Sequence, residues 1–455
     1  MHLQLPLQDK SAVPLFRLQL AVTFAAVPES KQEYHYRKQP GGRPRRPMPR
    51  ALKFSILGVS TMLVVMLIAS DFLPARVRAA GQQEGAYRQI GVYSEVLQHI
   101  ESDYVEDPDI TKVTAGALHG LLEGLDPESS YLSPTEYKAY KAAQGTAKAQ
   151  VGLNIAKRYG YATVISVVPN SAADKAAVAD GDVIEAIEGK STHDLSVAMV
   201  RLMLQGQPGS SVTISLVRPR RQEPEKLTLT RTSEAMPPLA EQQYENSSIL
   251  YLKPAELTQE RVDAVINRLK EMPKANNKKV LLDLRDVAEG DMPQAVRLAN
   301  AFVASGTIAT LEGQKVPKQT FTADPKLAIT QAPLVVLVNR GTAGPAELVA
   351  AAILDNKRGD VVGDHTFGEG AMQKLIEMPD GAALILSVAK YYGPDGKALD
   401  EAAVTPNVQV AAAEDDTPSV DELNQQPATP APVQKVAHPD EQLNKALEVL
   451  RAKAA

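Results

Sequence analysis

Two glycine-containing turns hold the residues of this 455-residue chain that could do chemistry. The first turn, residues 339–345, follows the apolar run Leu334–Val338 and precedes helical spacing that begins at Glu347. The second, residues 366–370, contains Glu369 and follows a short apolar pair. A strand that enters a tight turn before a helix places a nucleophile or an anion site at the helix N-terminus, where backbone N–H groups are unpaired. The sequence therefore marks a site, but neither turn offers an obvious nucleophile with its base.

The elements around these turns have the pattern of an α/β domain. Residues 249–252, 280–282 and 334–338 are short apolar runs, typical of buried strands. Residues 260–272 and 292–303 have helical spacing between them. Alternation of strands and helices predicts an α/β fold class.

The segment from residue 333 to residue 373 resembles the core of the carboxyl-terminal processing peptidases, also called tail-specific proteases, which use a Ser/Lys dyad. The family motif reads Asn-x-Gly-Ser-Ala-Ser-Ala-Ser-Glu, and the lysine of Thr-Phe-Gly-Lys-Gly lies 25 residues after the middle serine. Aligned without gaps, the nucleophile position falls on Gly344 and the lysine position on Glu369. The residues that match the family are Asn339, Gly341, Ala343, Glu347, Asp355, Thr366, Phe367, Gly368, Gly370 and Gln373.

The resemblance implies serine-type acyl transfer, in which a neutral lysine takes the proton of the attacking hydroxyl. Gly344 has no side chain, so Glu369 has nothing to deprotonate. A third departure falls in the oxyanion-turn region, where the family reads Asp-Leu-Arg-x-Asn-x-Gly-Gly and this chain has Glu289 before Gly290. A carboxylate there opposes charge that develops on a substrate oxygen. We interpret the chain as a catalytically degenerate member, a pseudopeptidase in which Asp355 and Gln373 are retained neighbours of the lost dyad.

Residues 149–232 resemble the PDZ domain that the same family carries, inserted before its core. Gly152, Leu153, Asn154 and Ile155 stand where PDZ domains have their carboxylate-binding loop. Backbone N–H groups of such a loop hold the terminal carboxylate of a peptide that adds a strand to the sheet edge. The resemblance implies that these four residues bind C-terminal tails of proteins. A β domain with a vestigial groove stays open as the alternative.

Residues 125–132 read Leu-Asp-Pro-Glu-Ser-Ser-Tyr-Leu, and the family has histidine at the position of Glu128. Directly after them, Ser133 and Glu136 predict a helix capping box.

Helical spacing earlier in the chain, at residues 93–104 and 112–124, predicts a helical segment over residues 81–148. The core is expected over residues 240–411, and a flexible tail with a terminal helix over residues 412–455.

An apolar segment from Phe54 to Ser70 has roughly the minimum length for spanning a bilayer core, and basic residues precede it. The positive-inside rule then places the bulk of the chain outside the cytoplasm. We expect residues 48–80 to form a single-pass anchor in the inner membrane or a signal segment, with the anchor preferred and a periplasmic or extracytoplasmic bulk. Residues 1–47 are predicted to be disordered or an over-long gene start.

Composition excludes several functions. The chain has no cysteine, which rules out a disulfide framework and thiolate metal sites. A net charge of −5 does not indicate a nucleic-acid partner. Only seven histidines are present, which leaves little material for a histidine-based metal site. We therefore expect no cofactor and no metal.

Three functions remain open at this point. The first is a membrane-tethered pseudopeptidase that binds the C-terminal tails of envelope proteins. The second is an active serine-type or threonine-type endopeptidase with a displaced nucleophile, Thr342 or Thr366, and with Lys357 or Lys374 as the nearest amine. A displacement of ~1 Å can cost about a hundredfold in rate, which weakens this alternative. The third is a structural envelope protein without peptide binding.

Overall fold

A computed structural model of the chain describes residues 61–62, 74–144, 149–218, 223–233, 236–411 and 439–453. Residues 74–95 form only the first part of one helix. The elements after that helix belong to a compact unit that begins at Val96. The helices are α1 (Pro74–Asp103), α2 (Ile110–Glu123), α3 (Pro134–Ala143), α4 (Ala172–Lys175), α5 (Val197–Leu204), α6 (Gln259–Glu271), α7 (Met292–Phe302), α8 (Pro345–Asp355), α9 (Leu399–Ala402) and α10 (Glu441–Ala452).

The strands fall into three sheets, and each sheet uses a separate part of the sequence pattern. In chain order the strands are β1 (Ser130–Leu132), β2 (Leu153–Arg158), β3 (Tyr161–Val167), β4 (Val183–Ile187), β5 (Lys190–Ser191), β6 (Ser211–Val217), β7 (Glu225–Thr230), β8 (Ala240–Tyr244), β9 (Ile249–Lys253), β10 (Lys279–Asp283), β11 (Thr307–Glu312), β12 (Gln319–Thr322), β13 (Leu334–Val338), β14 (Asp360–Gly363), β15 (Ala371–Glu377), β16 (Ala383–Tyr392) and β17 (Val408–Gln409).

The central sheet has the order β17–β14–β13–β10–β9–β8 and is parallel except for β8. Successive residues of a strand point to opposite faces of the sheet. In β13, Leu334 and Val336 pack against helices α6, α7 and α8, whereas Val335 and Leu337 pack against helix α10. The α/β fold and the strand buried on both faces at Leu334–Val338 are therefore confirmed.

Helix α10 is the layer that covers the second face of the central sheet. Its buried residues Ala446, Leu447 and Leu450 pack against the odd-numbered side chains of β13. The sequence predicted a helix here within a flexible tail, and the structure makes that helix part of the core. The amphipathic spacing alone could not tell which surface the apolar face would cover.

Both ends of α10 are held by side chains of the central sheet. The ammonium group of Lys279 donates to the carbonyl oxygens of Leu450 at 2.7 Å and Lys453 at 2.6 Å, where helix carbonyls lack partners of their own. At the other end Arg285 Nη1 lies 2.8 Å from Oδ1 of Asp440, the N-cap residue. These polar contacts set the position of the helix along the sheet.

The segment before the β domain packs on a second sheet of the core. This sheet has the order β1–β16–β11–β12, with β15 also paired to β16. Strand β1 pairs antiparallel with β16, and helices α2 and α3 pack beside it. The predicted capping box is present at the start of α3, where Ser133 and Glu136 bond to each other's backbone N–H groups.

The third sheet belongs to the predicted β domain and has the order β2–β3–β4–β6–β7, with β5 beside β4. All its pairs are antiparallel, and helix α5 contributes Val197, Val200 and Leu204 to its core. The domain meets the α/β core at β2, where the guanidinium group of Arg158 lies 4.1 Å from the centre of the Phe367 ring. This contact brings the β domain to the second glycine-containing turn.

The predictions for residues 1–47 and for the apolar segment from Phe54 to Ser70 fall outside the described residues, apart from positions 61 and 62. Within the described ranges, none of the helices combines the length and the apolar character that a bilayer crossing requires.

Leu450→Ala tests whether α10 belongs to the core. The Leu450 side chain is fully buried, so its loss should lower the free energy of unfolding by about 2–5 kcal/mol, measured by urea denaturation followed by circular dichroism. Leu121→Ala is the matched control, because Leu121 is 64% exposed and its loss should cost less than about 0.5 kcal/mol. Equal small effects of the two variants would contradict the docked position of the helix.

Candidate functional site

The first marked turn joins β13 to α8 and has the backbone of a nucleophile elbow. Gly344 has φ 53° and ψ −112°, a conformation that glycine adopts without strain and other residues rarely adopt. Pro345 follows as the first helical residue, where its fixed φ suits the helix. A Cβ atom at Gly344 would have room, because its nearest neighbour would be Oε2 of Glu369 at 3.9 Å.

One buried carboxylate holds the second turn against this helix N-terminus. Glu347, fully buried in the first turn of α8, accepts hydrogen bonds from the backbone N–H groups of Gly344 at 2.9 Å, Gly368 at 2.8 Å and Glu369 at 2.7 Å. The hydroxyl of Thr366 also donates to it. Burial raises the pKa of Glu347 to about 7, and the four donors oppose that rise. The dyad-equivalent positions Gly344 and Glu369 are thus held face to face by a residue that is not part of the dyad.

A second set of hydrogen bonds ties the first turn to the turn after β10. Asn339 Oδ1 accepts from the backbone N–H groups of Asp286 at 3.0 Å and Gly341 at 3.1 Å. Asn339 Nδ2 donates to Oδ1 of Asp286 at 2.8 Å. All three turns follow parallel strands of the central sheet at their carboxyl ends, the edge where α/β sheets bind ligands.

The elbow departs from a nucleophile elbow at two adjacent positions. Gly344 carries no hydroxyl group. In nucleophile elbows the backbone N–H after the nucleophile helps to hold the oxyanion, and here that residue is Pro345, which has no N–H. The N–H of Gly344 itself is engaged by Glu347. Sequence reasoning missed Pro345 because it compared side chains, although the proline stands directly after the aligned nucleophile position.

The two threonines considered as displaced nucleophiles are buried, and both hydroxyls are engaged. Thr342 Oγ1 donates to the carbonyl of Leu284 at 2.8 Å and accepts from the N–H of Asn339 at 3.0 Å. Thr366 Oγ1 donates to Glu347 and accepts from the N–H of Val404 at 2.7 Å. Lys357 and Lys374 are both exposed. The hydroxyls support the turns rather than face a cleft.

Three glutamates lie in or near the cleft between the core and the β domain: Glu128 and Glu289 line its spaces, and Glu369 interacts with both through charge. Burial raises the pKa of Glu369, and the negative charge of Glu289 adds to that rise. Burial also raises the pKa of Glu128 to about 7, with contributions from the charges of Glu369 and Asp126. Burial raises the pKa of Glu289 as well, and the positive charge of Arg201 on helix α5 opposes the rise in the pKa of both Glu369 and Glu289. Three carboxyl groups and one guanidinium group therefore lie in this part of the molecule.

Two neighbouring spaces open along this cleft. A cavity of about 320 Å³ lies between the helical segment, α5 and the second sheet, and its lining includes Glu128, Tyr140, Arg201, Gln205 and Gln373. A smaller space of about 60 Å³ lies along β2 and is lined by Leu153, Asn154, Ile155, Arg201, Gln205 and Glu289, among others. Arg201 and Gln205 line both spaces, so the two are neighbours.

The predicted carboxylate-binding loop leads into β2, which stands at the edge of its sheet. Gly152 has φ 84°, and a Cβ atom there would lie 2.1 Å from the Cβ of Ser171, so only glycine fits. Leu153, Asn154 and Ile155 form the first half of β2 beside the smaller space. Arg201 Nη2 donates to the carbonyl of Ile155 at 3.0 Å, so one acceptor of this edge is already engaged.

The other predicted site residues divide into near and far positions. Gln373 lies near, because its Nε2 donates to the carbonyl of Glu128 at 2.8 Å. Gly290 remains glycine for a packing reason: a Cβ there would lie 2.7 Å from the backbone of Leu257. Asp355 ends helix α8, ~16 Å along the axis from Gly344, and accepts from the N–H of Asp395 at 3.2 Å. The structure does not bring Asp355 to the cleft.

Comparisons with known proteins agree with this architecture. The model of a family described as Peptidase family S41 matches residues 248–410, and a PDZ domain model matches residues 163–218. The chain is 27% identical to the carboxy-terminal-processing protease of Bartonella bacilliformis, covering 76% of this chain and 80% of that protein. It is 30% identical to the chloroplastic C-terminal processing peptidase of Tetradesmus obliquus, over 67% of this chain and 69% of that protein. A solved structure of a photosystem II D1 C-terminal processing protease superposes with a TM-score of 0.59 at 26% identity, covering 70% of this chain and 92% of that one.

Glu347→Gln tests the carboxylate that holds the two turns together. A glutamine amide keeps one acceptor oxygen but turns its NH₂ group toward buried backbone donors, so at least one donor loses its partner. We expect the free energy of unfolding to fall by about 2–4 kcal/mol in urea denaturation. Glu101→Gln, at an exposed position of helix α1, is the control and should change it by less than about 0.5 kcal/mol. A Glu347→Gln variant as stable as this control would show that the turns do not depend on the carboxylate.

Proposed function

The chain belongs to the S41 family of carboxyl-terminal processing peptidases, and on that premise we propose that it is a non-cleaving member that binds C-terminal tails of proteins through its PDZ domain. The observation that carries the proposal is the elbow itself, where Gly344 and Pro345 replace the groups that would attack a peptide bond and stabilise its oxyanion. Glu369, opposite Gly344, supplies a carboxylate in place of the amine. A serine-type mechanism needs all three of these functions.

The proposal is consistent with the fact that the surrounding frame is intact. Glu347 still joins the two turns, and Asn339 still joins the elbow to the turn after β10. A frame of this kind keeps a cleft in shape whether or not chemistry takes place inside it. Fold and chemistry are separable in this way because function depends on the residues of the site and not on the fold.

An active endopeptidase with a displaced nucleophile is the alternative, and the structure offers it little support. Thr342 and Thr366 are buried, and each hydroxyl already donates to one oxygen and accepts from one N–H group. A nucleophile must present its oxygen to the substrate with a base in reach. Freeing either hydroxyl would require the turn around it to open.

The PDZ groove favours peptide binding over a purely structural envelope role. Strand β2 stands at the edge of its sheet, and the loop at Gly152 keeps the left-handed backbone that its position requires. A peptide added beside β2 would gain main-chain hydrogen bonds there, as in β-strand addition. Arg201 would have to release the carbonyl of Ile155 or share it with the peptide.

We further propose that the chain is tethered to the inner membrane through the apolar segment from Phe54 to Ser70, with its folded part outside the cytoplasm. The proposal rests on the length of that segment and on the basic residues before it.

This topology predicts that protease added to cells stripped of any outer barrier digests the folded part. Loss of a C-terminal tag on an immunoblot measures the digestion. Complete protection of the tag, while a known periplasmic domain is digested, would contradict this topology.

The tail-binding proposal makes a direct prediction for the full-length chain. Labelled decapeptides that end in three apolar residues should bind with a free C-terminal carboxylate and lose at least about tenfold in affinity when that terminus is amidated, because the loop N–H groups then lack an anion. Fluorescence polarisation measures the binding. The same peptides should remain uncleaved by mass spectrometry after prolonged incubation.

Two outcomes would contradict the proposal. Equal affinities for free and amidated peptides would remove the carboxylate-binding loop from the argument and favour a structural protein. Cleavage that persists in repeated preparations and disappears in Thr342→Val or Thr366→Val would establish a displaced nucleophile. Ser196→Ala, at a hydroxyl that caps helix α5 away from the elbow, is the control for general effects of hydroxyl loss.

A further inference from the structure

Three departures of this chain from the family pattern place a glutamate where the family has another residue. Glutamate stands at the histidine position of the Leu-Asp-Pro-His run (Glu128), at a glycine position of the turn after β10 (Glu289) and at the lysine position (Glu369). These positions are up to 241 residues apart in the chain, yet their charges act on one another in pairs, Glu128 with Glu369 and Glu369 with Glu289. We call this group of three residues the acidic cleft.

The carboxylate of Glu369 has no hydrogen-bond partner that would explain its position. Its backbone N–H is engaged by Glu347, but no residue within the described ranges donates to its side-chain oxygens. The Glu369 side chain is partly buried. A partly buried carboxylate without donors has a disfavoured charged form, and a cation that arrives there removes that cost.

The acidic cleft has fewer positively charged groups near it than carboxyl groups. Arg201 is the one cation of the described residues that acts on both Glu289 and Glu369, and its Nη2 is engaged by the carbonyl of Ile155. One guanidinium group acts on two of the three carboxyl groups. Glu289 also lines the groove along β2, so a tail that enters with only its own carboxylate meets like charge there. A tail that carries a cation offsets this repulsion.

The cavity that Glu128 lines has room for a long side chain with a charged end. The cavity of about 320 Å³ has apolar walls at Ala198 and Ile385 and a carboxylate at Glu128. Lysine and arginine have this character, with an apolar stem and a charged head. Because Arg201 and Gln205 line both the cavity and the groove along β2, a peptide seated in the groove passes next to the cavity.

We propose that the tails bound by this chain carry a lysine or arginine upstream of their C-terminus, and that the acidic cleft receives this basic side chain. The inference rests on the proposed tail-binding function and names the class of peptide that the same site selects. In this arrangement the loop at Gly152 holds the terminal carboxylate, the edge of β2 pairs with the last residues, and the cavity holds the basic side chain. The position once suited to a lysine of the protein then serves a lysine or arginine of the ligand.

The experiment uses the full-length chain and a series of labelled decapeptides with free C-termini. All peptides end in the same three apolar residues, and a single lysine is placed in turn at each position from the fourth to the eighth before the end. An extended peptide advances about 3.3 Å per residue, so the series scans the distance from the groove to the cavity. A peptide with glutamine at the same position is the neutral partner of each lysine peptide.

At one position or two neighbouring positions, lysine should bind about tenfold more tightly than glutamine. Glu369→Gln and Glu128→Gln should each reduce that ratio below about threefold while the glutamine peptide binds as before. Glu101→Gln, exposed on helix α1, should leave the ratio unchanged. Glu369→Lys should reverse the preference, so that a glutamate peptide binds more tightly than the lysine peptide at that position.

The outcomes separate this inference from the proposed function. If free-carboxylate peptides bind, amidated ones do not, and no position distinguishes lysine from glutamine by more than twofold, tail binding stands and the basic-residue inference is wrong. A lysine preference that survives both Glu→Gln variants also overturns it. If no free-carboxylate peptide binds at all, the proposed function fails and the inference fails with it.

Discussion

The structure of the site depends on one buried carboxylate. Glu347 accepts three backbone N–H groups and one hydroxyl, and these four donors come from the elbow and from the second glycine-containing turn. A carboxylate in a fully buried position is tolerated only when its lone pairs are satisfied, so each donor constrains the others. Neither Gly344 nor Glu369 contributes a side chain to this network. The frame can therefore persist after the dyad is lost.

The same principle links the site to the far face of the sheet. Asp283, at the end of β10, is fully buried and accepts from the hydroxyl of Tyr251 at 2.9 Å and from Arg285 Nη2 at 2.6 Å. Arg285 continues to Asp440 at the start of helix α10. The turn that carries Glu289 begins directly after this group. The helix at the end of the chain thus stabilises the strand that leads into the cleft, and it does so through paired charges and not through apolar contact alone.

Replacement of a lysine by glutamate changes what the cleft can attract as well as what it can catalyse. A neutral amine next to a serine activates an attacking oxygen, whereas a carboxylate opposite Gly344 has nothing to activate. With Glu128 and Glu289 nearby, the carboxylate of Glu369 is held where its charged form is disfavoured until a cation approaches. Arg201 offsets this only in part. The two proposals, absence of cleavage and a preference for basic ligands, therefore rest on the same substitutions.

The sequence by itself determined the local elements and the missing dyad. Apolar runs such as Leu334–Val338, the glycine-containing turns and the capping box at Ser133 depend on neighbours close in the chain, so their spacing was enough to predict them. The positions of Gly344 and Glu369 followed from flanking residues that match the family. Only the tertiary structure decided which surface helix α10 covers, and that the charge of Glu369 reaches Glu128 while that of Glu289 reaches Glu369. Those relations join residues far apart in the chain, and charge and packing act through distance in space, which sequence spacing does not encode.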